Sequence, residues 1–241
     1  MLAIIAAAGR GSRMKSPIPK PLTKLVNGKT FLDHLVDKVD DNVDEIVIVI
    51  NEELVDHPLF IKNSRCVYKI QAQPTGMGDA VFCAREEILE HENIIVIWSD
   101  QVGLTKNTLE ETLRVQKSLN RQKHITIPIL PKTNGYIHFE YEGNKIFGIY
   151  QYKEKDVVPN PNLSDVGVFG LSGGIDLISK WENGGRDFAF GRETQEYNFL
   201  PFLHYLSSQS WSVEFIEATL SDGYGVNTKG ELIEVQEGDW L

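Results

Sequence analysis

LAIIAAAGRGSRMKSPIPKPLTKL, residues 2–25, decides the fold. It opens on an uncharged apolar run, Leu2 to Ala8, closed by Gly9. A short run of this kind, bounded by glycine, reads as a strand buried on both faces, as in a parallel sheet. Gly9 and Gly11 then let the backbone turn sharply and approach another group closely. Arg10, Arg13, Lys15, Lys20 and Lys24 follow, and Pro17, Pro19 and Pro21 restrain the segment that carries them. From Met1 to Leu32 there are six Lys or Arg and no Asp or Glu. The whole chain has 24 basic and 34 acidic residues, which leaves the remainder with 18 against 34. A basic, glycine-rich opening on an otherwise acidic chain suits a compact polyanion, because turn amides and fixed cations both satisfy phosphate oxygens. Charge alone leaves a solvated basic loop as the alternative.

Outward from this stretch, apolar runs alternate with helical patterns. Ile46–Ile50, Cys66–Ile70, Ile94–Trp98 and His124–Leu130 read as further strands. Phe31–Val39, Gly78–Leu89 and Leu109–Leu119 have the apolar spacing of helices. The β-α-β-α order predicts an α/β fold, a doubly wound, mainly parallel sheet with helices on both faces. Its ligand belongs at the carboxyl ends of the strands, where the strand order switches. Residues 9–24 and 99–104 both fall at that edge. Further on, Tyr136–Glu142 and Lys145–Tyr152 read as a hairpin through Glu142-Gly143-Asn144. The spacing predicts a loop over Asn160–Ser164, a strand over Asp165–Leu171, a helix over Thr194–Leu206 and a strand over Trp211–Ala218. No repeat, low-complexity tract or linker interrupts residues 1–241. One domain is expected, with one half to about residue 130 and a smaller, β-rich, substrate-side half from about 131.

Composition narrows the class. With 41% hydrophobic and 24% charged residues, the chain is an ordinary globular protein large enough to bury a sizeable core. Cys66 and Cys83 make neither a disulfide framework nor a metal site, and Cys83 reads as a small core residue. No apolar run approaches a membrane span, and no basic residue precedes the first one as in a secretory leader. A net charge of −10 argues against a nucleic-acid binder. The expected location is the cytoplasm.

Three stretches carry candidate chemistry. A dinucleotide fingerprint is excluded because Met14 stands where its third glycine belongs, and a Walker A loop because no Gly-Lys-Ser/Thr follows Gly9. QAQPTGMGDAV, residues 71–81, places a Gly-x-Gly after a strand and before a helix. That is a second point of backbone approach to a ligand or a plain β–α turn. Asp100 ends the strand IIVIW, where a carboxylate can hold a hard cation beside phosphates or serve a turn or helix cap. Asn227 in YGVNTKGEL precedes a predicted helix and, taken alone, reads as an N-cap.

AAAGRGSRM with Pro19-Lys20 resembles the opening of the sugar-phosphate nucleotidyltransferases, L-A-A-G-x-G-[ST]-R-M…P-K. Later blocks follow in the family's order, and the pattern is similar above all to the uridylyltransferase half of bifunctional N-acetylglucosamine-1-phosphate enzymes. The resemblance implies that Ala7, Ala8, Gly9 and Gly11 wrap a nucleoside triphosphate. It gives Arg13 to the phosphates, and Lys20 to the transition state and acceptor phosphate. It also implies that Gln71 and Gly76 recognise a pyrimidine, that Trp98 lies beside the nucleotide, and that Asp100 and Asn227 hold Mg²⁺. Met77 stands for the family's Thr, Ser99 for its Gly, and Gln101-Val102 for its Val/Met-Pro pair.

The acceptor blocks depart further. Gly135-Tyr136-Ile137 has Tyr136 for an Arg, YQYKE has Gln151 for a Glu beside Lys153, and SDVGVF has Asp165 for an Asn. Glu196 and Tyr197 of ETQEYNFL keep the family register. The resemblance implies an acceptor site of Gly135, Tyr136, Gln151, Lys153, Asp165 and Glu196, altered from one built for an acetamido sugar. The expected function is therefore Mg²⁺-dependent nucleotidyl transfer from UTP or CTP to a small phosphorylated acceptor, foremost a sugar 1-phosphate. Alternatives are a cytidylyltransferase for an amino-alcohol or amino-acid phosphate, and a non-catalytic nucleotide- or sugar-sensing module. The chain runs on only briefly after Asn227, so the β-helix appended in the bifunctional relatives is not expected.

Overall fold

In the computed structural model, which describes residues 1–238 other than 10, 15, 120–122 and 134, the apolar runs form strands of one sheet. Arg10 and Lys15 of the basic loop lie outside the described residues. The first five strands are β1 (Leu2–Ala6), β2 (Glu45–Ile50), β3 (Cys66–Ile70), β4 (Asn93–Trp98) and β5 (His124–Lys132). Helices α1 (Phe31–Val39), α2 (Glu52–Val55), α3 (Met77–Phe82), α4 (Arg85–Glu90) and α5 (Lys106–Ser118) lie between them. The hairpin β6 (Ile137–Glu142) and β7 (Lys145–Gln151) follows, then β8 (Asn162–Asp165) and β9 (Val168–Ser172). The chain continues through α6 (Gly174–Lys180), α7 (Arg186–Phe188), α8 (Phe199–Ser208), β10 (Ser212–Glu217) and α9 (Lys229–Glu237).

The sheet runs β10-β5-β9-β4-β1-β2-β3, with β8 pairing on β5. β1 is parallel to both β2 and β4, β3 to β2, and β10 to β5. β9 is antiparallel to β4 and β5, and β8 to β5. The order switches at β1, whose chain continues to β2 on one side while β4 returns on the other. A crevice therefore opens beyond the carboxyl ends of β1 and β4. Ala6 is opposite Trp98 there, and Ser99 N donates to the Ala6 carbonyl at 3.2 Å. The glycine loop and Asp100 leave the sheet side by side for this reason.

Period-two alternation assigns the two layers. Leu2 and Ile4 of β1, with Val47 and Val49 of β2, face a core closed by Val81, Ile88, Leu177 and Phe202. Ala3 and Ile5, with Ile46 and Ile48, face the opposite core under Leu35, Val36, Leu109 and Leu113. All five residues of β1 are buried, and removing such a Leu or Ile side chain costs roughly 2–5 kcal/mol.

The structure departs from the sequence reading in several places. The expected helix over residues 78–89 is two helices, because Ala84 turns out of helical geometry (ψ 29°) and lets Val81, Ala84 and Ile88 all reach one core. The helix expected from Thr194 starts only at Phe199. Upstream of it the Tyr197 and Asn198 amides donate to the Thr75 and Ala189 carbonyls, so tertiary partners take the bonds a helix would need. Residues 162–164, expected in a loop, lie in β8, paired with Lys132 to Leu130. The strand expected over 165–171 breaks at Val166-Gly167, where Gly167 has φ +70°. Cys83 packs against the first core as a free thiol.

Candidate active site

Three chain segments meet in the crevice, and each anchors itself by an apolar residue beside its polar one. Met14, Val102 and Val226 form a small buried cluster with Leu25, Phe31 and Val235. Met14 follows Arg13, Val102 comes two residues after Asp100, and Val226 precedes Asn227. The same Met14 that excluded a dinucleotide fingerprint is the anchor of the basic loop. Gly11 needs its glycine for internal reasons: φ is +59°, and a Cβ there would sit 2.9 Å from Lys20 Cβ. Gly9 has open space, so its lack of a side chain is not required by the chain's own packing.

The polar atoms converge. Lys20 Nζ donates to Asp100 Oδ2 at 2.6 Å and to Asn227 Oδ1 at 2.9 Å, and Arg13 Nη2 donates to the same Asn227 oxygen at 2.8 Å. Asp100 and Lys20 are largely withdrawn from solvent, with side chains 17% and 12% exposed, whereas Arg13 is exposed. Two oxygens from loops distant in sequence thus face one positive point, an arrangement that suits a small cation. Among the described residues no three His, Cys, Asp or Glu side chains form a metal cage. A hard cation here would take two protein oxygens and complete its shell from phosphates and water, as Mg²⁺ commonly does.

The capping alternatives are resolved against both side chains. α9 is capped by Thr228, whose hydroxyl accepts from Glu231 N while the Glu231 carboxylate accepts from the Thr228 and Asn227 amides. The Asn227 side chain is therefore left for the crevice. α5 is capped by Thr105, so the Asp100 carboxylate is not spent on a helix end either.

On the other side of the glycine loop, Ala7 N donates to the Val49 carbonyl, and Asn51 Nδ2 donates to the Ala8 carbonyl at 3.0 Å. Gln71 Nε2 donates to the Gly76 carbonyl at 2.9 Å, which fixes which way its amide points. Gly76 and Gly78 make their close approach to the chain itself. A Cβ on Gly76 would lie 2.6 Å from the Tyr197 carbonyl, and one on Gly78 would lie 2.5 Å from the Trp181 ring. Trp98 packs its half-buried ring against Phe169 and Phe199.

The acceptor-side candidates divide into two groups. Asp165 is buried, accepts from Gly167 N at 2.7 Å, and is within electrostatic reach of Asp100 and Lys132. Burial pushes its carboxyl up to about 6, against the pull of the Gly167 amide and the Lys132 charge. Lys153 donates to Asn198, lies 3.9 Å from Glu196, and is within electrostatic reach of Arg13. Gly135, Tyr136 and Gln151 belong instead to the mouth of the hairpin. Gly135 N donates to Asn162 Oδ1 at 2.9 Å, Gln151 is buried opposite Ile137, and exposed Tyr136 meets exposed Tyr152 edge to face. Sequence reasoning missed Lys132, whose ammonium donates to the Gly223 carbonyl at 2.6 Å within electrostatic reach of Asp165, Glu231 and Asp100. A lysine at the carboxyl end of a buried strand was readable by the same rule that picked Asp100. Burial lowers its pKa.

A family model described as "MobA-like NTP transferase domain" matches residues 3–138. Among curated proteins, the chain is 26% identical over 242 residues to the bifunctional protein GlmU of Clostridium beijerinckii, with 98% of this chain and 51% of that protein aligned. It is 26% identical over 245 residues to GlmU of Clostridium perfringens (strain SM101) and 24% over 241 residues to GlmU of Clostridium novyi, again over 51% of each. The chain spans about half the length of these curated relatives. Among the described residues no helix is long and apolar enough to cross a membrane.

Proposed function

The chain belongs to the MobA-like NTP transferase domain family and is a nucleotidyltransferase, and from that premise we propose that it joins a pyrimidine nucleotide to a phosphorylated acceptor in a Mg²⁺-dependent reaction. The donor is UTP or CTP, the acceptor foremost a sugar 1-phosphate, and the second product pyrophosphate. One observation carries the reading: Arg13, Lys20, Asp100 and Asn227 converge at the carboxyl ends of β1 and β4.

An acceptor phosphate oxygen attacks the α-phosphorus of the triphosphate in line. The new O–P bond forms as the bond to the β-phosphate bridging oxygen breaks, and pyrophosphate leaves with that electron pair. A phosphate anion is already a competent nucleophile, so the protein's task is positioning and charge neutralisation. Arg13 holds the β- and γ-phosphates, and Lys20 bridges the α-phosphate and the acceptor phosphate. Asp100 and Asn227 are the residues that would hold Mg²⁺, which when bound neutralises charge on the triphosphate. Open Gly9 leaves space for a phosphate or ribose against the backbone. With Gln71 Nε2 committed to Gly76, its Oε1 is the atom free to accept from a base N–H, either N3–H of uracil or the 4-amino group of cytosine. The reading carries with it a cytoplasmic location, where nucleoside triphosphates are available.

A second acceptor class has its own observation. Exposed Tyr136 and Tyr152 form an aromatic corner that favours a cationic, amine-bearing phosphate over an acetamido sugar, and apart from it buried Asp165 stands where the family has a neutral amide. Pyrophosphate release with Mg²⁺, run with each nucleoside triphosphate against sugar 1-phosphates and amine-bearing phosphates, tests both readings. Turnover with one pyrimidine triphosphate and one acceptor class is expected. Release only with purine triphosphates, or with no acceptor of either class, contradicts the proposal.

A further inference from the structure

Asp222 is fully buried, and nothing in the sequence marks it. Its Oδ1 accepts from Thr105 N at 2.6 Å. Its Oδ2 accepts from Thr108 Oγ1 at 2.7 Å, Thr219 N at 2.8 Å and Thr219 Oγ1 at 2.6 Å. These donors belong to two different elements. Thr105 and Thr108 start α5, where the loop from Asp100 ends, and Thr219 starts the segment that leads to Asn227. A single carboxylate thus ties together the far ends of the two loops whose near ends carry Asp100 and Asn227.

Between those ends the loops are zipped. Gly103 N donates to the Tyr224 carbonyl at 3.1 Å, and Val226 N to the Asp100 carbonyl at 2.9 Å. Contact at Gly103 is too close for a side chain, since a Cβ there would lie 2.3 Å from the Ser221 carbonyl. From below, Lys38 Nζ donates to the Val102 and Leu104 carbonyls at 3.1 and 2.5 Å, and the His34 ring pairs with the Val102 carbonyl at 3.0 Å. Lys38 is also within electrostatic reach of Asp222.

We propose that Asp222 is a positioning residue for the cation pair: by tying the start of α5 to the 219–227 segment it fixes the separation of Asp100 and Asn227, and through it the affinity for a divalent cation. The inference rests on the reading of those two residues as cation ligands. Hard divalent cations of the Mg²⁺ type tolerate little error in ligand distance, so a slip between the loops weakens binding without removing a ligand. Asparagine at 222 keeps the shape but turns one acceptor oxygen into an NH₂ group facing the Thr219 amide, two donors with no acceptor between them.

The experiment titrates Mn²⁺ against the full chain, with free Mn²⁺ read by electron paramagnetic resonance. It is run on wild type, Asp100→Ala, Asp222→Asn and Thr108→Val, with Leu177→Ala as a control for general loss of stability, since Leu177 is buried in the core on the other face of the sheet. Asp100→Ala is expected to abolish the site, Asp222→Asn to weaken it tenfold or more, and Thr108→Val to weaken it about threefold, with Leu177→Ala at wild-type affinity. The KM for Mg²⁺ in pyrophosphate release should rise in parallel for Asp222→Asn, with kcat at saturating Mg²⁺ close to wild type. Wild-type Mn²⁺ affinity in both Asp222→Asn and Thr108→Val overturns the proposal, as does an equal weakening in Leu177→Ala. Should Asp222→Asn fail to fold, Thr108→Val alone decides. A wild-type chain without a Mn²⁺ site, or Asp100→Ala that retains it, overturns the underlying metal pair and the proposal with it.

Discussion

The loops that carry Arg13, Lys20, Asp100 and Asn227 and the hairpin that carries Tyr136 and Gln151 both extend from the carboxyl edge of the sheet, yet they are built differently. The loops share a buried apolar cluster, exchange backbone hydrogen bonds, and rest on a buried carboxylate. The hairpin is a separate two-stranded sheet, with Tyr136, Tyr141, Phe147 and Tyr152 exposed along it. The side chains of Arg13, Lys20, Asp100 and Asn227 extend from loop backbone that these buried contacts hold in place. On the hairpin, Tyr136 and Tyr152 are exposed side chains on a ribbon, where substitution costs little. On the proposed function, the contrast accounts for the four loop residues fitting the family pattern while exposed Tyr136 departs from it.

The largest effect should separate the regions outright. Lys20→Ala is expected to lower kcat by about 10³, about 4 kcal/mol of transition-state stabilisation, while Tyr136→Ala changes mainly the acceptor KM. Equal losses of kcat in both would erase the distinction. Next comes acid sensitivity of the loop side. Burial, and then the nearby Lys38 charge, lower the His34 pKa from 6.5 to about 4, with Lys29 adding to this and the Val102 carbonyl and Asp37 opposing. Above pH 6.5 His34 is neutral in both folded and unfolded chains. As pH falls below 6.5 the unfolded chain takes up a proton that the folded one refuses, so stability drops until the folded pKa near 4 is passed. The total is about 3 kcal/mol. Denaturant melts at pH 7 and pH 4 should show that much less dependence on pH in His34→Gln.

Two glycines sharpen the contrast further. Gly103→Ala forces a Cβ against the Ser221 carbonyl between the zipped loops and should cost about 2–3 kcal/mol by urea denaturation. Gly143→Ala at the hairpin turn meets nothing within 4 Å, and at φ +57° it should cost only about 1 kcal/mol of backbone strain. A comparably modest effect belongs to specificity. Gln151→Glu and Asp165→Asn, which restore the family residues, should shift the ratio of kcat/KM between acceptors by about tenfold (about 1.4 kcal/mol) and leave the triphosphate KM unchanged.

What the sequence disclosed follows the same division. β1, β2 and β4 were legible because strands buried on both faces read as unbroken apolar runs, and the glycine loop because its charge opposes that of the rest of the chain. Asp100 and Asn227 were ambiguous singly, and the resemblance paired them. The Thr228–Glu231 capping box, present in the sequence as T-x-x-E, was the local signal that frees Asn227. The start of α8, the break at Gly167 and the burial of Asp222 depend on partners far along the chain, which no local period encodes. Lys132 was visible as a charge at a strand end, but Asp165, Glu231 and Asp100 come within its electrostatic reach only in the fold.

On the proposed function, Arg13, Lys20, Asp100 and Asn227 form one phosphate-transfer centre. Its most direct test is Mg²⁺-dependent pyrophosphate release by wild type and by Asp100→Asn, which keeps the size of the side chain and removes its charge. Turnover with a pyrimidine triphosphate is expected in the wild type, and a loss of at least about a hundredfold in the variant that excess Mg²⁺ only partly restores. Turnover in Asp100→Asn equal to wild type would contradict it.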